Sequence, residues 1–125
     1  MPRKKLSITV LALVFFILIL NYAAMKFHWY YSLPWFDMLM HFLGGLWLGL
    51  AFVWLYPAGT SYLKIIAGVL LVGIFWEIFE LIVNNYFPNE PLDWGDTLSD
   101  LSFDMLGGGV AVFYLINQKR DARNR

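Results

Sequence analysis

The chain has 125 residues, of which 60% are hydrophobic, 19% aromatic and only 14% charged. A water-facing domain carries roughly 25% charged residues, so this chain cannot cover a soluble surface and its solvent is lipid. The formal net charge is zero, which offers nucleic acid no basic footprint, and the lack of cysteine excludes a disulfide framework or a thiolate site.

Hydropathy divides the chain into four apolar segments, each near the ~20 residues a bilayer core requires. The first, LSITVLALVFFILIL from Leu6, extends to Ala24. MPRKK ahead of it resembles the start of a signal peptide, but Tyr22 stands where a small residue would precede Ala24, so an uncleaved anchor is expected. The aromatic linker FHWYYSLPWF, with Trp29, Tyr30, Tyr31 and Trp35, suits the headgroup level, where Trp and Tyr concentrate. The second segment covers 36–56, the third 63–83 and the fourth 97–116. NNYFPNEPLDWGD, the longest connection, carries two prolines and an Asn-Asn pair, which are turn signals. The expectation is an all-α integral membrane four-helix bundle, with residues 1–125 forming a single transmembrane domain.

Cytoplasmic flanks of membrane helices are enriched in Lys and Arg. Arg3, Lys4 and Lys5 precede the first helix, Lys64 lies between the second and third, and Lys119, Arg120, Arg123 and Arg125 follow the fourth. With both termini cytoplasmic, eight of the nine basic residues lie inside and only Lys26 lies outside. Residues 26–35 and 84–95 would then be exposed outside, on a multi-pass protein of the cell (inner) membrane.

The ionisable residues follow helical spacing. Asp37 and His41 share a face of the second helix, Glu77 and Glu80 a face of the third, and Asp96, Asp100 and Asp104 form a stripe on the fourth. At ~1.5 Å per residue, His41, Glu77 and Asp104 lie about 7, 9 and 10 Å below the outer ends of their helices. Three helices of alternating direction therefore bring their ionisable groups to one depth. Each such group costs about 2.5–3.5 kcal/mol near a helix centre in lipid and normally faces a partner inside the bundle. No Lys or Arg falls within these helices on that side, so either shared protons or a cation must neutralise the carboxylates.

Simpler roles exist for single residues. Asp96 has the spacing of an N-cap for the fourth helix, Asp37 follows a turn and suits a cap of the second, and His41 alone reads as a hydrogen-bonded interior histidine. Glycines Gly44, Gly45, Gly49, Gly73, Gly107, Gly108 and Gly109 lie beneath the acidic level. Gly45 and Gly49 form a GxxxG pair, which permits close approach of helices in lipid.

The order D37-x3-H41-F-x-G-G, W76-E77-x2-E80 and W94-G95-D96-T97-x2-D100-x3-D104-x2-G107 resembles YjdF-type small membrane proteins. It is more loosely similar to VanZ-like proteins, which have an Asp-Lys-x2-His near the start and an Asp-x3-Asn/Asp-x2-Gly near the end. The resemblance covers residues 36–112, and Met38 stands where the VanZ-like pattern has Lys. VanZ-like proteins are associated with glycopeptide resistance, so the resemblance implies an envelope setting without a defined reaction. The aspartate-rich CDP-alcohol phosphotransferases are a poorer comparison, because their D-x2-D-G-x2-A-R motif is absent.

Carboxylates with one imidazole suit Zn²⁺, Mn²⁺, Fe²⁺ or Mg²⁺. The expected ligands are His41, Glu77, Glu80, Asp100 and Asp104, with Asp37 either a ligand or a partner orienting His41, and Asp96 a further candidate for the metal site. No organic cofactor is expected, membrane lipid is the expected partner, and the sequence is compatible with a homo-oligomer. The expected function is a metal-binding module or enzyme at the outer face, acting on a lipid or envelope substrate. The alternative is a proton- or cation-coupled transporter, or its subunit, with a protonated carboxylate cluster; a purely structural anchor is a third reading. The inner halves, LWLGLAFVW and IIAGVLLVGIF, are apolar and continue no polar path.

Overall fold

The computed structural model describes residues 3–56, 59–86 and 94–124. Five helices follow one another: α1 (Arg3–Lys26), α2 (Trp29–Ser32), α3 (Phe36–Leu55), α4 (Tyr62–Tyr86) and α5 (Trp94–Arg123). All but α2 are long and apolar enough to cross a membrane. In lipid the backbone must satisfy its own hydrogen bonds, and helices do so within one segment. Large apolar side chains accordingly stay exposed, among them Phe15, Phe16 and Ile19 on α1 and Phe75, Phe79 and Ile82 on α4.

The helices outrun the hydropathic segments by a few residues at most ends, and by more at the end of α5. Arg3 to Lys5 and Gln118 to Arg123 are helical, because long basic side chains continue a helix while reaching out of the apolar layer. The aromatic linker also holds the short α2, which sequence periodicity does not reveal. Residues 87–93 of the α4–α5 connection, expected to be exposed outside, lie outside the described residues.

α3 and α5 form the central pair, and they run parallel. A Cβ on Gly45 would overlap the Asp104 carbonyl, one on Gly107 would overlap the Phe42 carbonyl, and one on Gly49 would lie 2.7 Å from the Ala111 Cβ. Small residues at 45 and 49 on α3 thus face small residues at 107, 108 and 111 on α5, which lets the two backbones touch. Gly44 and Gly109 meet nothing within 4 Å, so they take no part in this contact. α4 runs antiparallel beside α5, with Gly73 against Asp104 and Val69 against Gly108. α1 runs antiparallel along α3, where Leu6, Leu50 and Ala111 form a buried cluster ringed by Val10, Leu13, Leu46 and Val53. The Trp47 indole donates to the Val10 carbonyl at 3.0 Å.

This arrangement separates the charges. Arg3 donates to the Trp54 carbonyl at 3.1 Å, and the Lys119 ammonium lies 5.3 Å from the centre of the Tyr62 ring. One end of the bundle therefore gathers the start of α1, the end of α3, the start of α4 and the end of α5. The opposite end holds α2 and the acidic residues.

Candidate functional site

Helix geometry delivers the site from three directions. Asp37 sits in the first turn of α3, where the N-cap is Trp35 and no side chain caps the helix. Asp37 is therefore not the cap its position suggested; its carboxylate lies at the positive end of the helix dipole and points to the cluster. Asp96 likewise lies inside the first turn of α5, which starts at Trp94, rather than at its N-cap. Its side chain is exposed, at the rim.

His41 is gripped at both ring nitrogens. Its Nδ1 lies 2.9 Å from Oδ1 of Asp104. Its Nε2 lies 3.4 Å from Oδ2 of Asp100 and 3.7 Å from Oδ1 of Asp37. The Nδ1 contact is a hydrogen bond, whereas the two on Nε2 are longer than a good one. Two ligands bound at ~2.0–2.2 Å to a tetrahedral ion are about 3.4 Å apart, so this spacing fits donors around a shared cation. Around such an ion Asp104, on Nδ1, would orient the imidazole, and Asp37 would lie with Asp100 on the Nε2 side.

A second group meets at Asp100. Donor atoms of Glu77, Glu80 and Asp100 lie within 4.8 Å of one another, as do those of Asp37, His41 and Asp100. The Trp76 indole holds Glu80 by donating to Oε1 at 2.9 Å, and Thr97 hydrogen-bonds Glu77. Asp100 is only 2% exposed, yet its Oδ1 has no hydrogen-bond partner, and neither has the buried Oε1 of Glu77. A buried carboxylate oxygen left unpaired costs several kcal/mol unless something compensates it.

Among the described residues, no Lys or Arg of α3, α4 or α5 lies beside the cluster. Within the three helices that build the site, Lys64, Lys119, Arg120 and Arg123 all belong to the opposite end. Tyr30 of α2 stands above the cluster, its hydroxyl donating to Oδ1 of Asn21 at 2.6 Å. Burial, together with the nearby Asp37 and Glu80 carboxylates, pushes the Tyr30 phenol above its ordinary value. Below the cluster the contact of α3 with α5 closes the interior.

The structure thus brings Asp37, His41, Glu77, Glu80, Asp100 and Asp104 together and leaves Asp96 at the edge. Trp76, Thr97 and Tyr30 support the site without having been singled out for it by spacing. The i,i+4 relation of Trp76 to Glu80 was a readable signal for the first of them.

No curated protein and no solved structure matches the chain. A family model described as Predicted membrane protein (DUF2238) matches residues 2–121. That description names neither the YjdF-type nor the VanZ-like group. With nearly its whole length matched, the chain belongs to this family of membrane proteins.

Proposed function

We propose that this protein binds a divalent cation at the acidic end of its bundle and uses it to engage an anionic lipid or envelope substrate. The ion would be held by Nε2 of His41 with Asp37 and Asp100, close to Glu77 and Glu80, while Asp104 orients the imidazole. The single observation that carries this reading is Asp100: 2% exposed, on the edge of an imidazole nitrogen, and with one oxygen unpaired. Zn²⁺, Mn²⁺, Fe²⁺ and Mg²⁺ all suit such donors. Bound there, the ion would supply Lewis acidity toward a phosphoryl or carbonyl oxygen or an activated water. With no Lys or Arg at this end of α3, α4 or α5, phosphate would bind through the metal.

The distribution of basic residues favours both termini in the cytoplasm of a cell with the site at the outer face of its inner membrane. The resemblance to YjdF-type and VanZ-like proteins suits that envelope setting. A cluster neutralised by protons, as in a proton-coupled transporter, is the second reading, favoured by the short His41–Asp104 contact. The glycine-lined seal between α3 and α5 supports a one-sided site instead.

The test is the metal content of detergent-purified protein, and its melting temperature with and without chelator. Stoichiometric metal and a lowered melting temperature on chelation are expected. Metal-free protein whose melting is unmoved by chelator, Zn²⁺, Mn²⁺ or Mg²⁺ would leave the protonated cluster in its place.

A further inference from the structure

Resting on that cation reading, we propose that the site is binuclear, with two divalent cations sharing the Asp100 carboxylate. One is held with Asp37 and Nε2 of His41, the other with Glu77 and Glu80. Asp100 is the one member common to the two donor groups, each of which fits within 4.8 Å. A carboxylate has two oxygens and can bridge. Oδ2 of Asp100 faces His41 at 3.4 Å, and Oδ1 is buried without a partner. A lone ion beside His41 would serve the first oxygen and leave the second unpaired, together with Oε1 of Glu77.

Charge balance points the same way. Asp37, Glu77, Glu80, Asp100 and Asp104 present five carboxylates. One dication leaves three of their charges uncompensated in a low-dielectric space, whereas two leave one, and Asp104 has Nδ1 of His41 within hydrogen-bond distance at 2.9 Å. Ions at ~3.5–4 Å separation, as in two-metal sites, can share one carboxylate and jointly clamp a phosphoryl group. The donors of the two halves differ: the half with imidazole suits Zn²⁺, Fe²⁺ or Mn²⁺, and the all-oxygen half Mg²⁺ or Mn²⁺. Mn²⁺ is the probe both halves accept.

Full-length protein in detergent is stripped with chelator, dialysed against excess MnCl₂ and then against metal-free buffer, and bound manganese is counted per chain. The expected result is two Mn²⁺ per chain with an exchange-coupled electron paramagnetic resonance spectrum. The double variant Glu77→Gln, Glu80→Gln should keep one Mn²⁺ with an uncoupled spectrum. One Mn²⁺ in the wild-type protein overturns the binuclear site and leaves the single-ion reading standing. No bound Mn²⁺, and none of the other three metals after the same treatment, overturns both. Two Mn²⁺ without exchange coupling overturn the shared carboxylate. The wild-type count decides the matter even if the variant does not fold.

Discussion

Nδ1 of His41 and Oδ1 of Asp104 meet at 2.9 Å, joining α3 to α5 across 63 positions of sequence. The contact sits directly above the place where Gly45 abuts the Asp104 carbonyl, so one residue of α5 serves both the polar site and the helix interface. A proton on Nδ1 donated to Asp104 leaves the lone pair of Nε2 for whatever lies between Asp37 and Asp100. Such outer partners fix the tautomer and raise the basicity of a ligating histidine.

Asp104→Asn separates metal from proton chemistry. The amide keeps the size of the carboxylate and still accepts from Nδ1–H, but it removes the charge. Cation affinity should fall by about 10–100-fold, as it does when outer partners of metal-bound histidines are changed. Titration of melting temperature with Zn²⁺ or Mn²⁺ reads this directly. A proton-neutralised cluster would tolerate the substitution, with no metal response in either protein.

Glycine substitutions test the α3–α5 contact. Gly45→Ala and Gly107→Ala each drive a methyl into the facing backbone, and overpacking of this kind costs about 1–3 kcal/mol or more. Gly44→Ala and Gly109→Ala meet open space within 4 Å and should be neutral or gain up to about 1 kcal/mol in helix propensity. Thermal melting in one detergent ranks the four. Equal losses at all four positions would contradict the packing.

These glycines mark where the sequence stops being readable. Segments of apolar residues announce helices, and i,i+4 spacing announces shared faces, so the acidic faces and the GxxxG pair were legible. Periodicity does not fix how one helix is rotated against another. For that reason the sequence does not show that Gly44 and Gly109 stay out of the α3–α5 contact. For the same reason spacing left Asp37 either a ligand or a partner orienting His41; Asp104 is the carboxylate 2.9 Å from Nδ1, and Asp37 lies on the Nε2 side. The cap readings of Asp37 and Asp96 failed because both helices begin one or two residues earlier. Short α2 was invisible because a single turn carries no period.

Tyr30 supplies a pH-dependent prediction. Burial disfavours its phenolate, and Asp37 and Glu80 repel it, so its folded value lies above the unfolded value of 10.0. The folded state then holds the proton to higher pH than the unfolded state. Its stabilising contribution is complete below pH ~10 and is lost as pH rises through the folded value. Tyr30→Phe should lower stability near neutrality by about 0.5–1.5 kcal/mol through loss of the bond to Asn21, and should flatten the alkaline decline. Difference absorbance of phenolate between the two proteins measures the titration. The comparison is made on chelator-stripped protein, where no cation screens Asp37 and Glu80; a Tyr30 that there ionises like a free tyrosine would place α2 away from the acids.

The final prediction concerns which end faces the cytoplasm. Arg3 against Trp54 and Lys119 over Tyr62 gather basic residues at one end of the bundle, and with Arg125 eight of the nine bases belong to that end by sequence. Positive flanks are generally retained on the cytoplasmic side, which would put Ser61 inside and Ser32 of α2 outside. Both serines are exposed, and the chain has no native cysteine. An impermeant thiol reagent on intact cells should therefore label Ser32→Cys and spare Ser61→Cys until the membrane is permeabilised. The opposite pattern would turn the bundle over and move the carboxylates to the cytoplasmic face. Cation binding would survive that result, because it depends on distances within the bundle. An extracellular lipid or envelope substrate would not, since the site would then open onto the cytoplasmic leaflet.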